Sequence, residues 1–546
     1  MNRKAYMSIL LAVVFLAFAF LTGCSSGNSK TASGTTYVFY LNGLEAINEV
    51  DGPNFYTVAG AVTIDSSGNV TGGEEDYNDG FGLTDAPTLI SAGTLTADPA
   101  SGQGTLTLTV GDANLGVGGV ETLGVQLVNA NHALITQFDG SATSSGSLDL
   151  QSATTASGNF AFTISGVNSD YDPTASGGVV TVAGGAMNGV FDINDADIGI
   201  FTDQTLTAGT VSDTDTFGRG TITGTELSGS LAYYVVGPEA VRLISDDTDA
   251  ALVGSAYGQG SATFSAASIG SSVFGILGDT WGELYGAAGS FTTDGVSAVT
   301  SGIGDDDESD GEIFSGVAID GSYTMSSTGY GSVTITAGEL QDVSALGVYA
   351  TDPALNLLDP NNTASGVGGA LILDLDGFLT GGTGALLPQT DTNPADFTGS
   401  ASGYAFGAQA FGIGDTGWEY DFVGQGAFTA GAFAGTGLVN DVFDVFGTSA
   451  ADTGVTFSGT PIPDDSEATT GRYTMFGDEN PFVITVVADA PLDYNVVVYQ
   501  ASGTQAFWLD EDTFGTFVGP IEQQGTLAAI PAVRKAMAKS PTAHKR

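Results

Sequence analysis

The chain is nearly empty of the residues on which most catalytic and nucleic-acid chemistry depends. Its 546 residues include one cysteine, two histidines and 11 lysines and arginines against 62 acidic side chains, a formal net charge of −51. Arg3, Lys4 and Lys30 sit at the start and Arg534, Lys535, Lys539, Lys545 and Arg546 at the end, which leaves only Arg219, Arg242 and Arg472 between them. A nucleic-acid binder needs a cationic footprint to displace counterions from phosphates, so that class of partner is excluded. The same shortage argues against docking of the body on anionic lipid. Nucleophilic triads need a histidine base and zinc sites need several His or Cys ligands. His132, the one histidine of the body, falls in a predicted hairpin. Helical periodicity is almost missing, and nothing after the first segment reads as a membrane-spanning helix.

What is present begins with an address. Arg3 and Lys4 precede an apolar run from Met7 to Leu21 that is short for a spanning helix and ends in Leu21-Thr22-Gly23-Cys24. This segment resembles the lipobox of bacterial lipoproteins. The resemblance implies a signal peptide over residues 1–23, cleavage before Cys24 and lipidation of its thiol. Ser25 stands where the family's inner-membrane retention signal would place Asp, so the implied address is the outer membrane, reached through the lipid anchor only. Residues 24–35 read as a flexible polar linker.

The body reads as all-β. Runs such as Thr105-Leu106-Thr107-Leu108-Thr109-Val110 alternate at period two and are punctuated by Gly, Asn, Asp and Ser. Four segments repeat one order of landmarks, which defines repeats over 36–151, 157–260, 262–390 and 396–525, followed by a basic tail over 526–546. An aromatic first strand recurs at Tyr37, Phe160, Phe274 and Tyr404, and a second strand at Gly60, Gly178, Gly289 and Gly426. Gly93, Gly209, Gly321 and Gly471 mark the start of a fourth strand, and a Gly-x-Gly turn follows at Gly102, Gly218 and Gly329. Three copies close near a glutamine, Gln151, Gln259 and Gln523. Each unit of about eight antiparallel strands suits an up-and-down meander, closed as a small barrel or flattened as a sandwich. The repeats are similar to those of tandem-repeat, β-rich exported bacterial proteins, a resemblance that brings no activity and no site residues.

In such a meander alternate connections fall at opposite ends. The short turns of the first unit at Ser66–Asn69, Pro99–Gln103 and Asn129–Asn131 share one end, and the long, acid-rich connections share the other. Carboxylates and carbonyls on loops are what Ca²⁺ needs. The candidates are Asp76, Asn78 and Asp79; Asp192, Asn194, Asp195 and Asp197; Asp305, Asp307 and Asp310; and Asn440 with Asp441. The competing explanation is that Asp and Asn serve turn geometry and solubility. Trp281 and Trp418, placed in long loops beside Glu283 and Glu419, are candidate sugar-stacking residues. The expected function is a non-catalytic structural or adhesive module of the cell envelope that presents acidic loops to cations or envelope partners. The alternative is a surface protein that binds or cleaves carbohydrate through paired carboxylates.

Overall fold

A computed structural model describes residues 34–527 apart from short interruptions, the longest at 46–53, 81–86 and 442–450. Residues 1–33, which include the expected signal peptide and Cys24, lie outside the described residues, as do the tail beyond residue 527, Trp281 and Asp310. Among the described residues no helix is long and apolar enough to cross a membrane.

The body is a tandem array of antiparallel β-barrels. In repeat 1 eight strands run Thr35–Glu45, Asn54–Ile64, Val70–Asn78, Thr88–Ala97, Gln103–Val110, Val120–Leu127, His132–Gln137 and Ala142–Leu150. Each pairs with its neighbour, and the last pairs with the first, so the meander closes and leaves no open edge. Repeat 2 closes in the same way. In repeat 3 the fourth strand is broken into Ile313–Ala318 and Asp320–Met325, and closure still holds because Glu283–Thr293 also pairs with Ala298–Glu308. Repeat 4 stays open as a curled 11-stranded half-barrel. Its Arg472–Met475 pairs with Val496–Gln500, whereas Phe482–Thr485 pairs with Ala451–Gly459, so the sheet splits between them. The split falls where Gly477 adopts a positive φ and Pro481, which has no N–H to give a ladder, precedes the strand.

Two expected landmarks move. The fourth strands of the first three repeats begin at Thr88, Gly199 and Ile313, ahead of the glycines chosen for them. Gly471 opens a strand in the fifth position, because Arg472–Met475 pairs with the sixth-position strand Val496–Gln500. It is therefore the counterpart of Gly102, Gly218 and Gly329, and all four have φ between 74° and 82°. Gly471-Arg472-Tyr473-Thr474-Met475 is similar in sequence to Gly321-Ser322-Tyr323-Thr324-Met325 of repeat 3, yet the pairing places the two in different strand positions.

Alternation sorts the side chains. Tyr37, Phe39 and Leu41 point into barrel 1, while Val38 between them joins a cluster shared among the repeats. Strands that face a neighbouring barrel are buried on both sides, as Asn54–Ile64 is from Tyr56 onward. Strands on the outer wall keep the half-exposed pattern of Gln103–Val110. Each barrel thus has its own apolar interior, and shared clusters fill the space between barrels.

Candidate functional site

The first three strands of each repeat pack on the last three of the next repeat, and those of repeat 4 pack on repeat 1. The array is therefore a ring. A repeated glutamine device locks it. Gln151, at the end of repeat 1, donates both amide hydrogens to the carbonyls of Phe217 (2.6 Å) and Val235 (2.9 Å) in repeat 2. Gln259 does the same for Thr328 and Ala350, and Gln389 for Thr470 and Gln500. Gln524 completes the circuit on Ser101 and Leu127 of repeat 1, both at 2.9 Å. The acceptors flank the positive-φ glycine turn, where carbonyls leave the ladder and need donors. A Cβ on Gly329 would come within 2.5 Å of the Gln259 amide nitrogen, so close approach as well as φ demands glycine there. The closing residue of repeat 4 is thus Gln524 rather than Gln523, and repeat 3 has one too.

The third-strand acids proposed as metal ligands lie at these seams. Asp76 accepts from Arg219 Nε (2.6 Å), Arg219 Nη2 (2.7 Å) and the Tyr234 hydroxyl (2.7 Å), all in repeat 2. Asp192 accepts from Tyr330 and Tyr349 of repeat 3. Asp305 accepts from Arg472 Nε (2.8 Å), Arg472 Nη2 (2.6 Å) and Tyr499 of repeat 4. Burial opposes ionisation of Asp305, but Arg472 outweighs it and holds the carboxyl below the usual range. Two residues on, Asn78 donates to the carbonyl of Ala250, Asn194 to that of Asp374 and Asn440 to that of Ala142, each in the next barrel. At the closing seam the place of the aspartate is taken by Leu438, which packs with Val128, Leu134 and Phe138 of repeat 1.

The remaining candidates are dispersed. Asp79 accepts from Tyr171 across the first seam through its carbonyl, Asp195 caps the backbone of exposed Asp197 and Ile198, and Asp441 is buried in repeat 4. Burial, with Asp512 next in weight, pushes Asp307 up to about 10. Among the described residues no group of three or more His, Cys, Asp or Glu is arranged to hold a metal ion. Trp418 opens the second strand of repeat 4 rather than lying in the loop before it.

The acids also differ from the expected picture of solvated loops. Glu74, Glu75 and Asp76 belong to a strand, and Glu121 to another. Glu75 and Glu121 meet inside barrel 1, where burial and each other's charge hold Glu75 well above the carboxylate range.

A buried polar cluster joins repeats 1, 2 and 4, and sequence reasoning missed it. His132, Asp149, Arg242 and Glu522 are 3%, 0%, 2% and 3% exposed. His132 Nδ1 lies 2.8 Å from Asp149 and Nε2 lies 3.1 Å from Glu522. Arg242 Nη2 donates to Asp149 at 2.6 Å and Nη1 to the Tyr257 hydroxyl at 2.9 Å, with the guanidinium 4.6 Å from the Tyr40 ring centre. Burial lowers the basicity of His132, but Glu522 and then Asp149 outweigh it and raise the imidazolium well above its ordinary value. Burial likewise opposes ionisation of Asp149, and Arg242 and His132 overcome it. With both ring nitrogens donating to carboxylates, His132 offers no lone pair to a nucleophile.

The cluster borders a cavity of about 360 Å³ lined by residues of all four repeats. A second cavity of about 350 Å³, lined largely by asparagine and glutamine amides, shares Glu522 with it.

No family model matches the chain, and no curated protein matches it. Among solved structures, a Nitrosomonas europaea protein with the provisional name AttH is similar at 9% identity, over 65% of this chain and 92% of its own, with a TM-score of 0.16. The siderophore receptor PirA of Pseudomonas aeruginosa is similar at 7% identity, over 90% and 81%, with a TM-score of 0.13. Likenesses of this size carry no argument about shared fold or function.

Proposed function

We propose that the chain is an outer-membrane lipoprotein, anchored through Cys24, whose four-repeat body serves without catalysis as a rigid structural or binding module of the cell envelope. The observation that carries the non-catalytic part is the engagement of both His132 nitrogens by Asp149 and Glu522, which removes the body's one candidate imidazole base. The Gln524 contact with repeat 1 supports rigidity, since it turns a flexible string of domains into a closed ring. The lipobox Leu21-Thr22-Gly23-Cys24 supports the anchor. Labelled palmitate supplied to expressing cells should enter the protein and be absent from Cys24→Ser. Equal labelling of the two would overturn the anchor. Protease shaving of intact cells then separates surface display from the periplasmic face.

A further inference from the structure

Barrel 1 carries the carboxyls of Glu75 and Glu121 in its interior, whereas the core of repeat 2 is built from aliphatic and aromatic side chains. Alternate residues along Gly158–Asn168 supply Phe160 and Phe162, and other strands bring Met187, Val211 and Ile222 into the same core. Packing leaves space between them. A cavity of about 60 Å³ is bordered only by side chains from residues 156–256, all of them apolar but for the Tyr233 hydroxyl. That hydroxyl already donates to the carbonyl of Ser212 at 2.8 Å. Water is a poor occupant, because it needs about two to four polar partners and these walls have none to spare. An ion is a poorer one, since a charge buried there has no counter-ion. An apolar occupant restores the dispersion contacts that the void takes from its lining.

Size narrows the class. Sites for drug-sized ligands run to about 300–1,000 Å³, and an apolar cavity of about 150 Å³ holds benzene. A space of about 60 Å³ is too small for that ring. Access is built in at one join of the barrel. Val211 and Ile222 face each other as one of only two residue pairs that join Gly199–Val211 to Arg219–Thr223 among the described residues. The joins on either side have eight and four pairs, so the wall parts with the fewest broken ladder bonds beside the cavity. The unbranched thioether of Met187 adapts the lining to an occupant's shape. We infer that barrel 2 holds a binding site for one small, uncharged, apolar molecule of the size of a light hydrocarbon, seated against Phe160, Phe162 and Met187 and reached beside the Val211–Ile222 pair.

Methyl spectra of the full chain, isotopically labelled at its methionine methyl groups, test this under dissolved cyclopropane, xenon and benzene. Met187 lines the cavity, while Met325 in repeat 3 and Met475 in the core of repeat 4 serve as controls. Met187→Leu identifies the reporting resonance. Cyclopropane and xenon should each displace the Met187 signal along a saturating curve and leave Met325 and Met475 in place. Benzene should leave all three in place. No displacement at Met187, an equal displacement of all three, or a saturating response to benzene would overturn the proposal. Ala256→Val and Val182→Leu add carbon to the wall from two different strands. In whichever variant keeps the β-sheet circular dichroism of the parent, the cyclopropane response should be lost. An unchanged response in a folded variant would also overturn the site.

Discussion

The side-chain amide of Gln524 donates to the carbonyl oxygen of Ser101 at 2.9 Å across 423 positions of sequence. That contact repeats what Gln151, Gln259 and Gln389 do between consecutive repeats, and it makes the last repeat a neighbour of the first.

Gln151→Ala leaves the carbonyls of Phe217 and Val235 without their side-chain donor, which costs about 1–3 kcal/mol. Gln524→Ala should cost less, because the Gln126 amide also donates to the carbonyls of Ser101 and Leu127. Thermal unfolding of both variants checks this order. A Gln126→Ala, Gln524→Ala double variant as stable as Gln126→Ala alone would mean that the ring is not closed in solution.

The axial pair gives a sharper contrast. Asp149→Asn leaves Arg242 buried with its charge uncompensated, and breaking such a pair costs about 3–5 kcal/mol. The double variant Asp149→Leu with Arg242→Met removes both charges and should lose less stability than Asp149→Asn. Chemical denaturation midpoints of the two variants decide the order.

Stability should fall on the alkaline side. Glu419 and Asp421 lie on the second strand of repeat 4, wholly buried against repeat 1, and share a hydrogen bond between their carboxyls. Burial first, and then the Asp421 charge, raises Glu419 well above the carboxylate range; burial also raises Asp421. The groups facing them are Gln409 and the Leu44 backbone for Glu419, Thr143 for Asp421, and the Tyr56 phenol, with Glu121 beyond it. A carboxyl raised in the folded state contributes stability at acid pH that is lost as pH rises through its folded value. Burial acts in the same direction on Glu45, raised to about 7, and on Glu74, raised to about 8. The melting temperature should therefore decline from about pH 5 to about pH 8. Glu419→Gln should flatten that decline, and an unchanged slope would remove this seam as its origin.

The closing seam should tolerate Leu438 changes poorly and differently from the others. Leu438→Ala opens a void in the cluster with Val128, Leu134 and Phe138, a loss of about 2–5 kcal/mol. Leu438→Asp should be worse than Leu438→Ala, because Gln103 and Gln126 stand where the other seams offer Arg or Tyr and no cation faces the new carboxylate. Melting temperatures of the two variants rank the effects.

Much of this architecture is readable along the chain. The alternation of Thr105 to Val110 dictates a strand with one exposed face, and the recurrent glycine turns dictate a meander of about eight strands in four copies. Those signals are local, set by the two-residue period of the pleat and by the φ that a turn requires. The acid motifs were legible as residues and not as contacts. Asp76-x-Asn78 has the look of a cation loop, yet it lies on a strand whose outward face meets Arg219 and Ser245 of the next barrel.

The sequence by itself determined an all-β chain of four like units with almost no basic side chains to spend. Only the tertiary structure decided where those few went: Arg219 and Arg472 into seams between repeats, and Arg242 to the axis beside His132. The physical reason is that a strand's pattern says which residues share a face, whereas the partner of the outward face is set by how closed barrels stack. Closure into a ring brought residues hundreds of positions apart into a buried interior, where Arg242 and His132 meet Asp149 and Glu522.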